Sequence, residues 1–354
     1  MKILDRYLAA SFLRTWFSVN LVLAGLLSFL ELASQLDDVG KGNYSSSDAL
    51  LYVALTLPGR MIELAPPSAL LGSIITLGLL SKNLELLAMR ASGISIQRVG
   101  WAFAKPALLT LLALLLGAQF IIPSLEQTAW TRRETALSES GTILPRGDFW
   151  TRSGRRFINL HTGRESGIQA ADIYEFDEGR RLEGYIHARE TKIGPEGGWA
   201  LHGVWQKVIT DQGGAVREIP HLVLPGLLTS KQAAELALPP QTLSLTELAS
   251  VIGNQQERGE NPGRYRLALW QKLSLPVMTG AMIMISLPFV CRSTRSSGLG
   301  WLIMVGAITG VAFFFLNQIL GYTGLILQIS PAWTTLIPAL AVLAGGVFLT
   351  RRIS

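Results

Sequence analysis

The sequence predicts a polytopic α-helical membrane protein of six spans, with an all-β extracytoplasmic domain inserted between the third and the fourth. Composition is the first sign: 49% of the 354 residues are hydrophobic and 16% charged, with mean hydropathy +0.35, beyond the apolar bias of an ordinary soluble chain. The apolar residues are also unevenly placed, crowding into roughly the first 120 and the last 90 positions around a middle of soluble character. That middle alternates apolar and polar residues with period two between turn signals.

A hydrocarbon core about 30 Å thick takes roughly 20 helical residues, and that length selects Phe12–Leu36 as the first span. Lys2, Asp5, Arg6 and Arg14 precede or enter it and no small-residue cleavage site follows, so it reads as a retained span rather than a leader. Ala49–Ser81 is too long for one straight crossing and is interrupted by Pro58 and the pair Pro66 and Pro67, which predicts a kinked second span. Trp101–Ile122 is the third. After the polar middle come Leu267–Val290, Leu299–Leu320 and Ala332–Thr350.

Between the second and third spans lies KNLELLAMRASGIS, residues 82–95. Leu84, Leu87, Ala88 and Ala91 recur at helical spacing and form one apolar stripe, Glu85 and Arg90 fall off it, and Gly93 is a stop signal. A short amphipathic helix is expected. It could lie flat on lipid, but such anchors carry a cationic face opposite bulky Trp or Phe, whereas this one carries Met, Ala and Gly, which suits protein contact.

The middle holds strand-like runs such as FWTRSGRRFINL, DIYEFDEGRRLEGYIHARETKI and GGWALHGVWQKVITDQGGAVREI, placing an all-β sandwich at about 135–245. Helical periodicity returns at Leu245–Ile252.

Basic residues set the orientation. One group of flanks carries Lys2, Arg6, Arg14, Lys82, Arg90, Arg98, Lys105, Arg292, Arg295, Arg351 and Arg352, while the other has Lys41 among Glu31, Asp37, Asp38 and Asp48. The positive-inside rule then predicts cytoplasmic termini, a cytoplasmic 82–95 segment and 291–298 turn, and a periplasmic 123–262. The net charge of +6 and pI near 9.6 are thereby read as topology rather than as a nucleic-acid partner.

Enzyme chemistry finds little footing. No G-x-x-x-x-G-K-[ST] phosphate cradle, H-E-x-x-H metal pair or G-x-S-x-G nucleophile elbow occurs. The single cysteine, Cys291, excludes an intrachain disulfide. His161, His187, His202 and His221 all fall in the β domain and read as surface or satisfied core residues.

The phrase E-L-x-A-x-R-A-S-G-I-S between the second and third of six spans resembles the cytoplasmic coupling helix of the LptF/LptG (YjgP/YjgQ) family of lipopolysaccharide-export ABC transporter permeases. The match extends to ILDRY at the N-terminus, S-x-x-D-A-L and P-x-x-A-L-L-G in the second span, E-Q-x-A after the third, G-R-Y at 263–265 and N-Q late in the fifth. The LDRY opening resembles the LptG branch. The resemblance implies transmembrane helices within 1–122 and 263–354 and a periplasmic β-jellyroll with connectors at 123–262. It implies extraction of lipopolysaccharide from the outer leaflet of the inner membrane and delivery to a periplasmic protein bridge. Its implied partners are an LptF-like permease in a heterodimer, an LptB-like ATPase dimer that holds ATP and Mg, and LptC-like and LptA-like jellyroll proteins. No cofactor is expected in this chain itself.

Carried over residue by residue, Glu85, Leu86, Arg90, Ala91, Ser92 and Gly93 would couple to the ATPase. Arg60, Arg132, Arg133, Phe313, Phe314 and Asn317 are the lipid-binding candidates. Arg60 falls at the outer rim, where Glu63 at i+3 could neutralise it. Arg132 and Arg133 follow the third span, Arg132 also fitting a snorkelling role. Phe313, Phe314 and Phe315 could equally face lipid or neighbouring helices, and Asn317 and Gln318 need interhelical or subunit partners. Glu31, Asp37 and Asp38 stand where several relatives carry lysines. The rival readings are a permease of a different ABC-type lipid or lipoprotein extraction system, whose usual four spans disagree, and a membrane-anchored sensor.

Overall fold

In hydrocarbon a spanning chain must satisfy its own backbone hydrogen bonds, so long apolar runs have few choices besides helix. The computed structural model describes residues 2–137, 149–162, 168–177, 179, 181–193, 198–210, 213–224, 238–257, 259–293 and 299–353. Its helices are α1 (Lys2–Leu36), α2 (Ser46–Glu63), α3 (Ala65–Lys82), α4 (Glu85–Ala91), α5 (Ile96–Ala118), α6 (Ile121–Leu137), α7 (Leu245–Glu257), α8 (Gly263–Ser293), α9 (Leu299–Ile326) and α10 (Pro331–Ile353). Two compact units result: residues 1–31, 56–123 and 266–354 form one, residues 32–55 and 124–265 the other.

Among the described residues four helices have the length and apolarity of a span, Ile3–Leu36, Gly263–Val290, Gly300–Ile326 and Pro331–Arg352, and α2 with α3 passes the same test as one bent pair. The predicted third span falls on the 23-residue α5, which ends at Ala118 before α6 starts at Ile121. The chain is thus a mostly helical, multi-pass membrane protein carrying an antiparallel sheet.

The kink expected in the second span is a 63° bend between Glu63 and Ala65. Pro66 and Pro67 cannot donate amide hydrogens, and they sit in the first turn of α3 where that loss is tolerated. The break is fastened by α1. Asn20 Nδ2 donates to the Met61 carbonyl at 2.9 Å and to Ser68 Oγ at 2.9 Å, while Trp16 Nε1 donates to Ser68 Oγ at 3.0 Å and to the Ala65 carbonyl at 3.3 Å. One turn further, a Cβ on Gly72 would lie 2.8 Å from Trp16 Cα, so the two backbones nearly touch there. On its other flank α3 meets Gly310 of α9, where a Cβ would be 3.5 Å from Pro67 Cβ. Enclosed on both sides, α3 is buried along almost its whole length. Phe12 extends the same core, stacking on Trp16 at 5.7 Å and on Phe103 of α5 at 5.0 Å.

In the second unit, β1 (Phe149–Ser153), β2 (Arg156–Thr162), β3 (Ile168–Phe176), β4 (Leu182–Ile193), β5 (Trp199–Thr210) and β6 (Gly213–Leu224) pair antiparallel in chain order. The described strands therefore form a meander, and the finer jellyroll arrangement is not drawn by them. One face buries Ile158, Ala171, Ile173, Ile186, Ala188, Trp199, Leu201, Val204 and Leu224. Burial alternates regularly until Ile186 and Ala188, then skips a step to Thr191; on β5 it skips between Leu201 and Val204. Gly203, at φ +61°, takes up the skip on β5 in a left-handed conformation that glycine adopts freely, creasing the sheet.

Candidate functional site

The short helix α4 has two unlike faces. Leu86 and Met89 point into the helical core, 5% and 8% exposed, together with Leu8, Phe12, Val99 and Leu287. Leu84 and Leu87 are 65% and 63% exposed, and Ala88, Arg90 and Ala91 are exposed beside them. The apolar stripe foreseen from the sequence is therefore the outward face, and the inward anchor is a second apolar set.

Both ends of α4 are sharply made. It is entered through Leu84 in a left-handed turn at φ 61°, where most side chains crowd their own backbone. It ends as foreseen at Gly93, φ +86°, whose N–H reaches the Arg90 carbonyl while the Ile94 N–H reaches that of Met89, a Schellman stop. Ser92 Oγ donates to the Ala88 and Met89 carbonyls at 3.0 and 2.9 Å. Glu85 is half-buried and accepts from Tyr7 Oη at 2.9 Å. Of the six coupling candidates, Arg90, Ala91, Ser92 and Gly93 are exposed, Glu85 lies at the edge, and Leu86 is an inward anchor.

The lipid candidates do not gather into one place. Arg60 pairs with Glu31 of α1 at 3.3 Å and reaches the Leu27 carbonyl at 3.4 Å, so its ion-pair partner is Glu31 rather than the Glu63 foreseen at i+3.

Arg133 is committed elsewhere. Its Nε donates to Gln35 at 2.7 Å and its two terminal nitrogens to Asp38 at 2.7 Å and Glu134 at 2.8 Å, with Tyr52 beneath the guanidinium at 5.8 Å. These contacts tie it into the second unit; Arg132 beside it is exposed. The same network gives Asp38 its reason. Lys41, then Arg133, hold its carboxyl below the ordinary carboxylate range.

Phe313 packs half-buried on the helical core, and Phe314 meets the exposed Phe315 edge to face at 5.9 Å. Asn317 is buried and its Oδ1 has no hydrogen-bond partner among the described residues, whereas Gln318 accepts from Gln271 of α8 at 3.1 Å. Gln318 thus has the interhelical partner expected of an amide in a membrane helix. The side chain of Arg292 and all of Arg295 lie outside the described residues.

Sequence reasoning missed a polar knot on the outer face of the sheet. Asp172 accepts from His187 Nδ1 and Tyr185 Oη at 2.7 Å each, and meets His161 Nε2 at 2.6 Å. Burial pushes the Asp172 carboxyl up, but the hydrogen bonds from His187, Tyr185 and His161 outweigh it and hold the group below its usual range. Burial and that same carboxylate raise the Tyr185 phenol. The available signal was the cross-strand register, Asn159 opposite Asp172 opposite His187, which becomes visible only once three strands are paired. This knot ties β2, β3 and β4; no group of three or more His, Cys, Asp or Glu residues suited to a metal occurs among the described residues.

Residues 6–352 match the family described as "Lipopolysaccharide export system permease LptF/LptG". The lipopolysaccharide export system permease protein LptG of Haemophilus influenzae is 30% identical over 341 residues, covering 95% of each chain. That of Escherichia coli K12 is 27% identical over 366 aligned positions, covering 99% of this chain and 98% of the relative.

Proposed function

The chain belongs to the LptF/LptG family of lipopolysaccharide export system permeases, and on that premise we propose that it extracts lipopolysaccharide from the outer leaflet of the inner membrane for delivery to a periplasmic protein bridge. It works as a transporter subunit in a pair with an LptF-like permease, on an LptB-like ATPase dimer that holds ATP and Mg. LptC-like and LptA-like proteins receive the lipid beyond the sheet. Both termini and α4 face the cytoplasm, and 123–262 faces the periplasm, in keeping with the basic flanks.

The observation that carries this reading is the outward stripe of α4. Leu84, Leu87, Ala88 and Ala91 are apolar and exposed, although Leu86 and Met89 already anchor the helix from within. A helix that needs no further apolar contact for its own fold, yet presents some, suits a protein groove. Because the inward face is continuous with the cores of α1, α3 and α5, a push on α4 passes to those helices as a rigid-body displacement. Arg132 is an exposed cation available to a phosphate, and the Arg60 and Glu31 pair braces α1 against α2.

Glu85→Lys tests the reading. Export should be lost and recovery of the ATPase with a tagged copy should fall at least tenfold, about 1.4 kcal/mol, with insertion unchanged. Normal stoichiometry and ATP-driven lipid release in that variant would refute the docking role of α4.

A further inference from the structure

The N-terminal ILDRY stretch carries part of the family resemblance but has no mechanical role in the reading so far. We propose that it is a latch in which Tyr7 positions the Glu85 carboxylate for a cationic group on the nucleotide-hydrolysing partner; the inference rests on α4 being the docking helix.

Two bonds leave the first turns of α1. Tyr7 Oη donates to Glu85 Oε2 at 2.9 Å, and Asp5 Oδ2 pairs with Arg98 at the start of α5 at 3.5 Å. One segment thus grips both α4 and the helix that follows it. The register of that segment is fixed from below: Leu8 and Phe12 are buried in the same core as Leu86 and Met89, and Phe12 stacks on Phe103. The Tyr7 hydroxyl is consequently delivered to a set place.

Glu85 needs such help. It is the first residue of a seven-residue helix whose preceding Leu84 makes no side-chain cap among the described residues, and Asn83 Nδ2 reaches its other oxygen only at 3.3 Å. A glutamate in that position otherwise samples several rotamers, all but one of which must be given up on binding. Holding it beforehand strengthens association by removing that loss. Tyr7 is therefore a positioning residue, acting through Glu85, and the remaining lone pairs of the carboxylate point to an arginine or lysine as the partner group.

The test uses the full complex of this chain, its partner permease and the ATPase. Tyr7→Phe keeps the ring and removes the hydroxyl; it should weaken ATPase binding about fivefold, the range of one exposed hydrogen bond, with the melting temperature unchanged. In a Glu85→Gln background the same change should add less than about twofold, because the charged acceptor is gone. Parent-like affinity of Tyr7→Phe, or equal losses in both backgrounds, would overturn the latch. Loss of the ATPase in Glu85→Lys with parent-like Tyr7→Phe removes the latch alone, whereas retention of the ATPase in Glu85→Lys removes the docking reading itself.

Discussion

At its N-terminal end α3 meets α1 through Ser68, Asn20 and Trp16, polar groups buried in a span where hydrocarbon would be expected. At its C-terminal end it runs through Asn83 into α4, where Leu84 and Leu87 are apolar groups left exposed. The contrast separates two uses of the same chemistry. Burying an amide and a hydroxyl is tolerable because each finds a partner, Asn20 at the Met61 carbonyl and Ser68 Oγ, and Ser68 at the Leu64 carbonyl, all beside the break. Exposing leucines has no such internal compensation, so that end is understood by what can cover it. One end of the helix is fastened and the other is left to be engaged.

The strongest challenge to the fastened end is Gly72→Leu, which would drive a side chain into the backbone of α1 at Trp16. A loss of about 3 kcal/mol is expected, seen as a lower melting temperature and poor recovery from membranes; parent-like stability would mean that α1 and α3 are not in register as described. Next comes the sheet, whose Asp172 knot is the polar cluster of the second unit. Asp172→Asn should cost about 2 kcal/mol at neutral pH. Because the native carboxyl sits below its unfolded value near 3.9, its contribution is present above about pH 4 and fades as the pH falls through the native value. Acid melts of parent and variant should therefore converge at low pH, and a constant gap would contradict the assignment. The smallest effect belongs to Asn20→Leu, about 1 kcal/mol, since it removes two hydrogen bonds but also an Oδ1 that has no partner among the described residues.

Much of this was legible beforehand, and the gaps share a physical cause. The long apolar helices, the break at Pro66 and Pro67, the stop at Gly93 and the alternating strands are local properties, written within a dozen neighbours. The sidedness of α4 was not local. Periodicity grouped Leu84, Leu87, Ala88 and Ala91, but Leu86 and Met89 form a rival set on so short a helix, and only the surrounding core decides which faces inward. The partners of Arg133 were likewise not legible, because Gln35 and Asp38 lie nearly a hundred positions away. Asp38 and Arg133, singled out separately in the sequence, are two halves of one ion pair. Asp172, His161 and His187 belong to the same class, meeting only across strands.

The left-handed turn at Leu84 carries a lesson for anyone seeking a hardier protein. Glycine would relax that backbone at once, and a screen for heat tolerance would reward the swap. It would also shave one knob from the face that α4 turns outward, so a sturdier molecule would come out of such a screen with less surface to offer whatever covers that face.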